Sequence, residues 1–397
     1  MNAARRATVY VHFPYCLQKC PYCDFVSYAR ERPEIDHDGY SDAIIRELEA
    51  RSEGVSGIGH YESIFFGGGT PSLWKAESLA RVIKRIYEVL PIAGDAEVTV
   101  ECNPSSLNGE HARRLQGIGV NRLSIGVQSL RNEQLKFLGR LHDADTALAV
   151  IREAIAVRGL RVSGDMIFGL PEQAVSDAVD QANRIADTGI LHMSCYQLTI
   201  EPGTRFGELA KRGRLPLADD GKVADAFFAI DEALQARGFG HYEISNYAHK
   251  GQESRHNLGY WNGYEYLGLG CGAYGFVRTA DGAAVRYRNA IDPDRYVAQT
   301  KALVAGAFSE NDGLSLSAES IDGPTALRER IMLGLRLADG FDLSTAGREW
   351  NVNPWNEERE RTIANLCARE RLVREEGRLR IPKKAWHFAD DTAARLF

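Results

Sequence analysis

The strongest constraint on this 397-residue chain is an alternation running through its first half, in which short β-branched and aromatic runs end in turns and lead into stretches of helical spacing. The pattern predicts strands over residues 8–13, 63–66, 97–100, 122–127, 162–168 and 192–198. Amphipathic helices are expected between them, over 39–51, 78–90, 110–117, 143–158 and 177–188. A repeated strand-then-helix order requires right-handed crossovers and a parallel sheet. About six such units predict an α/β fold, an incomplete (β/α)6 TIM-like barrel.

Such barrels carry their chemistry on the loops at the carboxyl ends of the strands. The unusual residues of this sequence cluster there. Cys16 to Cys23 follow the first strand, Gly67 to Thr70 the second, Glu101 to Pro104 the third, Gln128 the fourth and Gly169 to Pro171 the fifth. Past residue 241 an aromatic and glycine-rich stretch runs to about Phe276 and reads as the barrel's flank. From about residue 323 the sequence turns helical and charged, then ends in LVREEGRLRIPKKAW, which predicts a small, mostly helical C-terminal domain with a short hairpin and a winged-helix appearance. The expected organisation is therefore 1–240 barrel, 241–322 flank and 323–397 C-terminal domain.

With 48 basic against 54 acidic residues, the net charge of −6 gives no global attraction for nucleic acid. No apolar run reaches membrane-spanning length, and the N-terminal apolar stretch is too short for a signal sequence. Seven cysteines, an odd and uneven set, do not form a secreted disulfide framework; a reducing cytoplasm is expected.

In YCLQKCPYCDF three thiols are spaced Cys-x3-Cys-x2-Cys, close enough to converge on one centre. Thiolates suit iron–sulfur clusters or zinc, and a zinc site completed by His12 is the simpler alternative. A cubane held by Cys16, Cys20 and Cys23 would leave one iron open to a reactant. Gly67, Gly68 and Gly69 allow a ligand close to the backbone, with Thr70 expected as N-cap and Pro71 as the first helical residue, presenting free amides to a carboxylate. A plain tight turn is the alternative. Glu101, Gln128 and Asp165 lie in or just past apolar strands, where each is either a functional group or a satisfied core polar side chain. Arg140, taken alone, reads as a solvated residue.

Together these motifs resemble the radical S-adenosylmethionine (SAM) superfamily over almost the whole chain, and within it the branch of oxygen-independent coproporphyrinogen III oxidases and their HemW-type relatives. The resemblance implies a 4Fe-4S cluster on Cys16, Cys20 and Cys23. It also implies a SAM site lined by Tyr10, Gly68, Glu101, Gln128, Arg140 and Asp165, with Tyr22, Gly69, Thr70 and Thr199 nearby. The oxidases carry a further cysteine two residues after the third and an N-terminal extension; here that position is Phe25 and the first strand begins at Thr8. CPYCDF instead resembles the HemW-type haem chaperones, as does His256–Asn257–x–x–Tyr260–Trp261, a motif linked in that family to haem binding. Imidazole is a common axial ligand of haem iron, which makes His256 the expected ligand, whereas a buried core histidine is the structural alternative.

The resemblance thus implies haem as cargo, respiratory haemoproteins that include membrane-associated enzymes as recipients, and an assembly that extends to a homodimer. It also implies no coproporphyrinogen oxidase activity. A competing expectation is a radical enzyme of porphyrin metabolism, an oxidase or a methyltransferase. Cys102, Cys195, Cys271 and Cys367 are expected to be inert buried thiols.

Overall fold

Residues 5–280 and 282–397 are described by a computed structural model; the first four residues of the expected 1–240 segment, and of the N-terminal stretch read above, lie outside the described residues. The six expected strands form as β1 (Arg5–Phe13), β2 (Ile58–Gly68), β3 (Ile92–Cys102), β4 (Arg122–Gln128), β5 (Arg161–Phe168) and β6 (His192–Gln197), each parallel to the next. Helices α1 (His37–Ser52), α2 (Ala76–Val89), α3 (Gly109–Gly117), α5 (Ala144–Ile155) and α6 (Val175–Ala186) alternate with them, together with the short α4 (Asn132–Phe137). The helix expected over 143–158 begins one residue later, because Asp143 is its N-cap and accepts a hydrogen bond from the Thr146 amide at 2.8 Å.

Period-two alternation decides which face of the sheet each residue joins. On β1, Val9, Val11 and Phe13 are fully buried in the core. On α2, Leu79, Val82, Ile83 and Ile86 sit at helical spacing and are buried in the same core. Burying each such side chain contributes roughly 1.5–3 kcal/mol, and this apolar layer holds the helices around the sheet. The opposite parity, Thr8, Tyr10, Glu97, Glu101, Arg122, Ser124, Ser163, Asp165, His192 and Ser194, is polar. Residues of non-adjacent strands meet there: Arg161 of β5 pairs with Glu97 of β3, and Arg122 of β4 lies 3.3 Å from His192 of β6. Such contacts require the sheet to curl, as the barrel reading predicted.

The flank from residue 241 does more than cover the barrel. β7 (Gly240–Glu243) and β8 (Asn246–Ala248) extend the β6 edge as antiparallel strands, preceded by α7 (Arg205–Lys211) and α8 (Asp220–Gln235). The chain then crosses through α9 (Arg255–Trp261) to β9 (Glu265–Leu269), which lies parallel to β1. β10 (Tyr274–Arg278), β11 (Ala284–Asn289) and β12 (Ser315–Ser320) continue antiparallel, giving a twelve-stranded sheet in the order β12-β11-β10-β9-β1-β2-β3-β4-β5-β6-β8-β7. The parallel part thus has one strand more than the expected six units supply.

Helices Gly323–Gly334, Leu343–Glu349 and Glu357–Ala368 pack with a small three-stranded sheet containing the hairpin Val373–Glu375 and Arg378–Arg380. Leu327, Ile331, Phe341, Leu379 and Trp386 centre this C-terminal core. Among the described residues no helix is long and apolar enough to cross a membrane.

Candidate functional site

After β1, a short parallel pairing of Tyr15 with Tyr28 and Cys16 with Ala29 closes the loop that carries the cysteines. The glycine turn is stitched to that loop: the Gly69 amide donates to the Phe13 carbonyl at 2.7 Å and the Thr70 amide to the Tyr15 carbonyl at 2.8 Å. The Thr70 hydroxyl is directed at Cys16 Sγ, 3.4 Å away. Arg140 Nη1 lies 3.6 Å from Cys20 Sγ, and Ser27 Oγ lies 4.0 Å from Cys23 Sγ. Each sulfur therefore has a hydrogen-bond donor beside it.

These contacts correct one expectation. Thr70 makes no side-chain cap, and Pro71–Leu73 is a single 3-10 turn, with α2 beginning only at Ala76. The amides of Gly68, Gly69 and Thr70 are all engaged within the protein, so no helix N-terminus is presented to a ligand here. The reason is local: tying the turn to the cysteine loop uses the donors that a cap would have left free. Glycine itself is required, since Gly68 has φ +109° and a Cβ there would stand 2.4 Å from the His12 ring.

All three thiols line one cavity of about 520 Å³ at the carboxyl end of the strands. All seven cysteines are free. Burial pushes the Cys16 thiol up to about 11 and raises that of Cys23 as well. A metal that displaces the proton relieves that cost. Among the described residues no three His, Cys, Asp or Glu side chains are grouped for a single metal ion. Three free thiols from one loop, each facing a donor and opening on a shared space, fit a thiolate-held cluster with outer hydrogen bonds to sulfur.

The cavity walls carry the charged groups. The Gly68 amide donates to Glu101 at 3.1 Å, and Asp165 accepts from the hydroxyls of Ser194 (2.8 Å), Ser124 (2.9 Å) and Ser163 (3.2 Å). Both carboxyls touch the cavity yet lie deep within the fold. Burial first, then the neighbouring Asp165, pushes the Glu101 carboxyl up to about 7, and burial likewise raises Asp165. Arg140 donates to the Gly126 carbonyl at 2.9 Å, while its buried Nε has no partner. A guanidinium and two carboxyls lining one cavity suit a zwitterionic ligand.

The structure brings Tyr22, Gly68, Gly69, Thr70, Glu101, Gln128, Arg140, Asp165 and Thr199 to this cavity with the three cysteines. Tyr10 lies behind the wall instead, its hydroxyl 2.9 Å from His12 Nδ1 and its ring stacked on Phe65. Gln128 takes φ +65°, the left-handed region, at the carboxyl end of β4. Sequence reading missed the serines that hold Asp165. Their inward parity on β4, β5 and β6 was the available signal. It also missed Tyr196, and it grouped Asn257 with the haem-linked motif, whereas both line the same space.

His256 is placed elsewhere. α9 closes the amino end of the barrel, capped by Ser254, and the Arg255 and His256 amides donate to Glu97 at 3.2 and 3.1 Å. The imidazole is 1% exposed, stacked on Phe65 at 4.7 Å, with Nδ1 hydrogen-bonded to Ser63 and Nε2 without a partner. It borders none of the larger cavities. Of the rest of its motif, Asn257 reaches the cysteine cavity, whereas Tyr260 and Trp261 line a separate cleft of about 340 Å³ against Met332. Cys102 is buried but borders the cysteine cavity, Cys195 and Cys271 are buried outside its lining, and Cys367 is partly exposed in the C-terminal core region.

Two family descriptions match the chain: the radical SAM superfamily over residues 10–185 and the HemN C-terminal domain over 321–388. The chain is similar to the heme chaperone HemW of Escherichia coli strain K12, 39% identical over 282 residues that span 70% of this chain and 72% of the relative. It is 34% identical to the heme chaperone HemW of Mycobacterium tuberculosis over 85% of this chain and 84% of that protein. Among solved structures, the coproporphyrinogen III oxidase HemN of Escherichia coli superposes with a TM-score of 0.79 at 19% identity, covering 99% of this chain and 90% of that one, a likeness of fold.

Proposed function

The chain belongs to the HemW-type branch of the radical SAM superfamily, and from that premise we propose that it is a haem chaperone that holds a 4Fe-4S cluster and SAM and delivers haem to respiratory haemoproteins. One observation carries this reading. A single cavity joins the three free thiols to the Glu101–Asp165 wall, and at its edge stands Phe25, 59% exposed, where the oxidases have a further cysteine. A cysteine there would offer a polar, reactive group; a phenyl ring offers apolar surface at the protein's exterior.

Cys16, Cys20 and Cys23 are the residues to hold the cluster, which when bound supplies an open iron for SAM and an electron to cleave it. The chain's own groups bind and orient. Arg140, held by the Gly126 carbonyl, brings a cation to the cavity for a ligand carboxylate, and Glu101 and Asp165 accept from ligand N–H or hydroxyl groups. The intact polar wall also favours a second reading, an enzyme that uses SAM to abstract hydrogen from a porphyrin-class substrate.

Anaerobic, reduced, cluster-loaded protein separates the two readings when given SAM with hemin or with coproporphyrinogen III. The chaperone reading expects hemin to bind and coproporphyrinogen to remain. Conversion of coproporphyrinogen III to protoporphyrinogen IX, with release of 5′-deoxyadenosine, would overturn it.

A further inference from the structure

A second large cavity, about 740 Å³, lies on the outer side of the cysteine loop and shares Cys20 and Cys23 with the first. Lys19, Lys136, Arg205 and Arg214 line it, and no carboxylate does. None of the four forms an ion pair with a described carboxylate, in a chain whose net charge is −6. The floor is apolar, with the rings of Phe137 on α4 and Phe206 on α7 packed 4.7 Å apart.

The groove is built from elements fastened to the cysteine loop. The Phe206 amide donates to the Pro21 carbonyl at 2.9 Å, and Gln18 Nε2 to the Gly139 carbonyl at 3.2 Å. The other aromatic cleft, beside Tyr260 and Trp261, offers no comparable charge. Its Arg286 is already paired with Glu319 and Glu329, and its Arg330 with Glu349. An apolar floor ringed by unneutralised cations recognises a flat hydrophobic body that carries carboxylates at its edge.

We propose that this groove is the haem-binding surface: the macrocycle lies against Phe137, Leu209 and Pro216 over the buried Phe206, and its two propionates are neutralised by Lys19, Lys136, Arg205 and Arg214. The proposal rests on the chaperone reading and adds the place of the cargo. It puts haem against the loop that bears the cluster thiols rather than at the enclosed His256. Removing cations from the groove weakens binding through the propionates alone, without touching the cluster ligands.

The test is hemin titration into the full-length, anaerobically reconstituted protein, followed by absorption, for wild type, R205E/R214E and, as a control at the opposite end of the barrel, R158E. The double charge reversal is expected to weaken hemin binding about tenfold or more, with R158E unchanged and iron and sulfide content equal in all three. Wild-type affinity should also fall as KCl is raised, and hemin dimethyl ester, which lacks the free carboxylates, should bind more weakly and without salt dependence. That pair of measurements holds even if the double variant fails to fold. Equal hemin affinity in R205E/R214E and wild type, or equal binding of hemin and its ester, overturns the groove while leaving the chaperone reading standing. No hemin binding by wild type overturns both.

Discussion

His256 Nδ1 lies 2.9 Å from the Ser63 hydroxyl, at the closed amino end of the barrel and beneath the Phe65 ring. A histidine so enclosed is a packing element in this conformation, and axial ligation by it requires α9 to leave the barrel floor. His256→Ala is therefore expected to lower unfolding free energy by about 2–3 kcal/mol through the cavity it leaves. The hemin absorption maximum should stay where it is in wild type. A displaced maximum would show that α9 opens and hands its imidazole to the iron. Burial pulls the ring down to about 3, so its neutral form's contribution is whole above the ordinary imidazole range and is lost as pH falls toward that value.

Glu101 responds to pH in the opposite sense. Its carboxyl is raised to about 7, so the folded protein holds a proton that the unfolded chain releases near 4.5. Stability from this group is complete below that lower value and declines as pH rises to about 7, by no more than about 3 kcal/mol. Urea titrations of cluster-free protein across that range should show the decline in wild type and its absence in Glu101→Gln. An equal slope in both proteins would assign the pH dependence to other groups.

Gly68 is the pivot of the turn that links β2 to the cysteine loop. Gly68→Ala forces a side chain into the left-handed region and against the His12 ring, at an expected cost of about 1–3 kcal/mol. The Gly68–Glu101 hydrogen bond should fail with it, weakening SAM binding measured by equilibrium dialysis. A variant with wild-type stability and SAM affinity would show that the turn tolerates a Cβ.

The barrel was legible because period-two and period-3.6 patterns are local: Val9, Val11 and Phe13 announce a buried strand face, and Leu79, Val82, Ile83 and Ile86 a buried helix face. β9 was not. Its five residues, Glu265–Leu269, are a short run set in a glycine-rich stretch that gives no strand signal, and its parallel partner β1 lies about 250 residues away in sequence. The cysteine spacing pointed to one centre, but nothing in GGGTP revealed that its amides would be consumed in binding the cysteine loop. The placement of His256 was equally hidden. Only the folded arrangement of Ser63, Phe65 and Glu97 around it shows that the histidine faces inward, while Tyr260 and Trp261 face a different cleft.

The central claim is that Cys16, Cys20 and Cys23 together hold an iron–sulfur cluster with one open corner. Its most direct measurement is metal and inorganic sulfide analysis of strictly anaerobic, reconstituted protein beside the variant with all three cysteines changed to alanine. About four irons and four sulfides per chain are predicted for wild type, with both lost in the variant. Stoichiometric zinc, or iron without sulfide, would contradict the account.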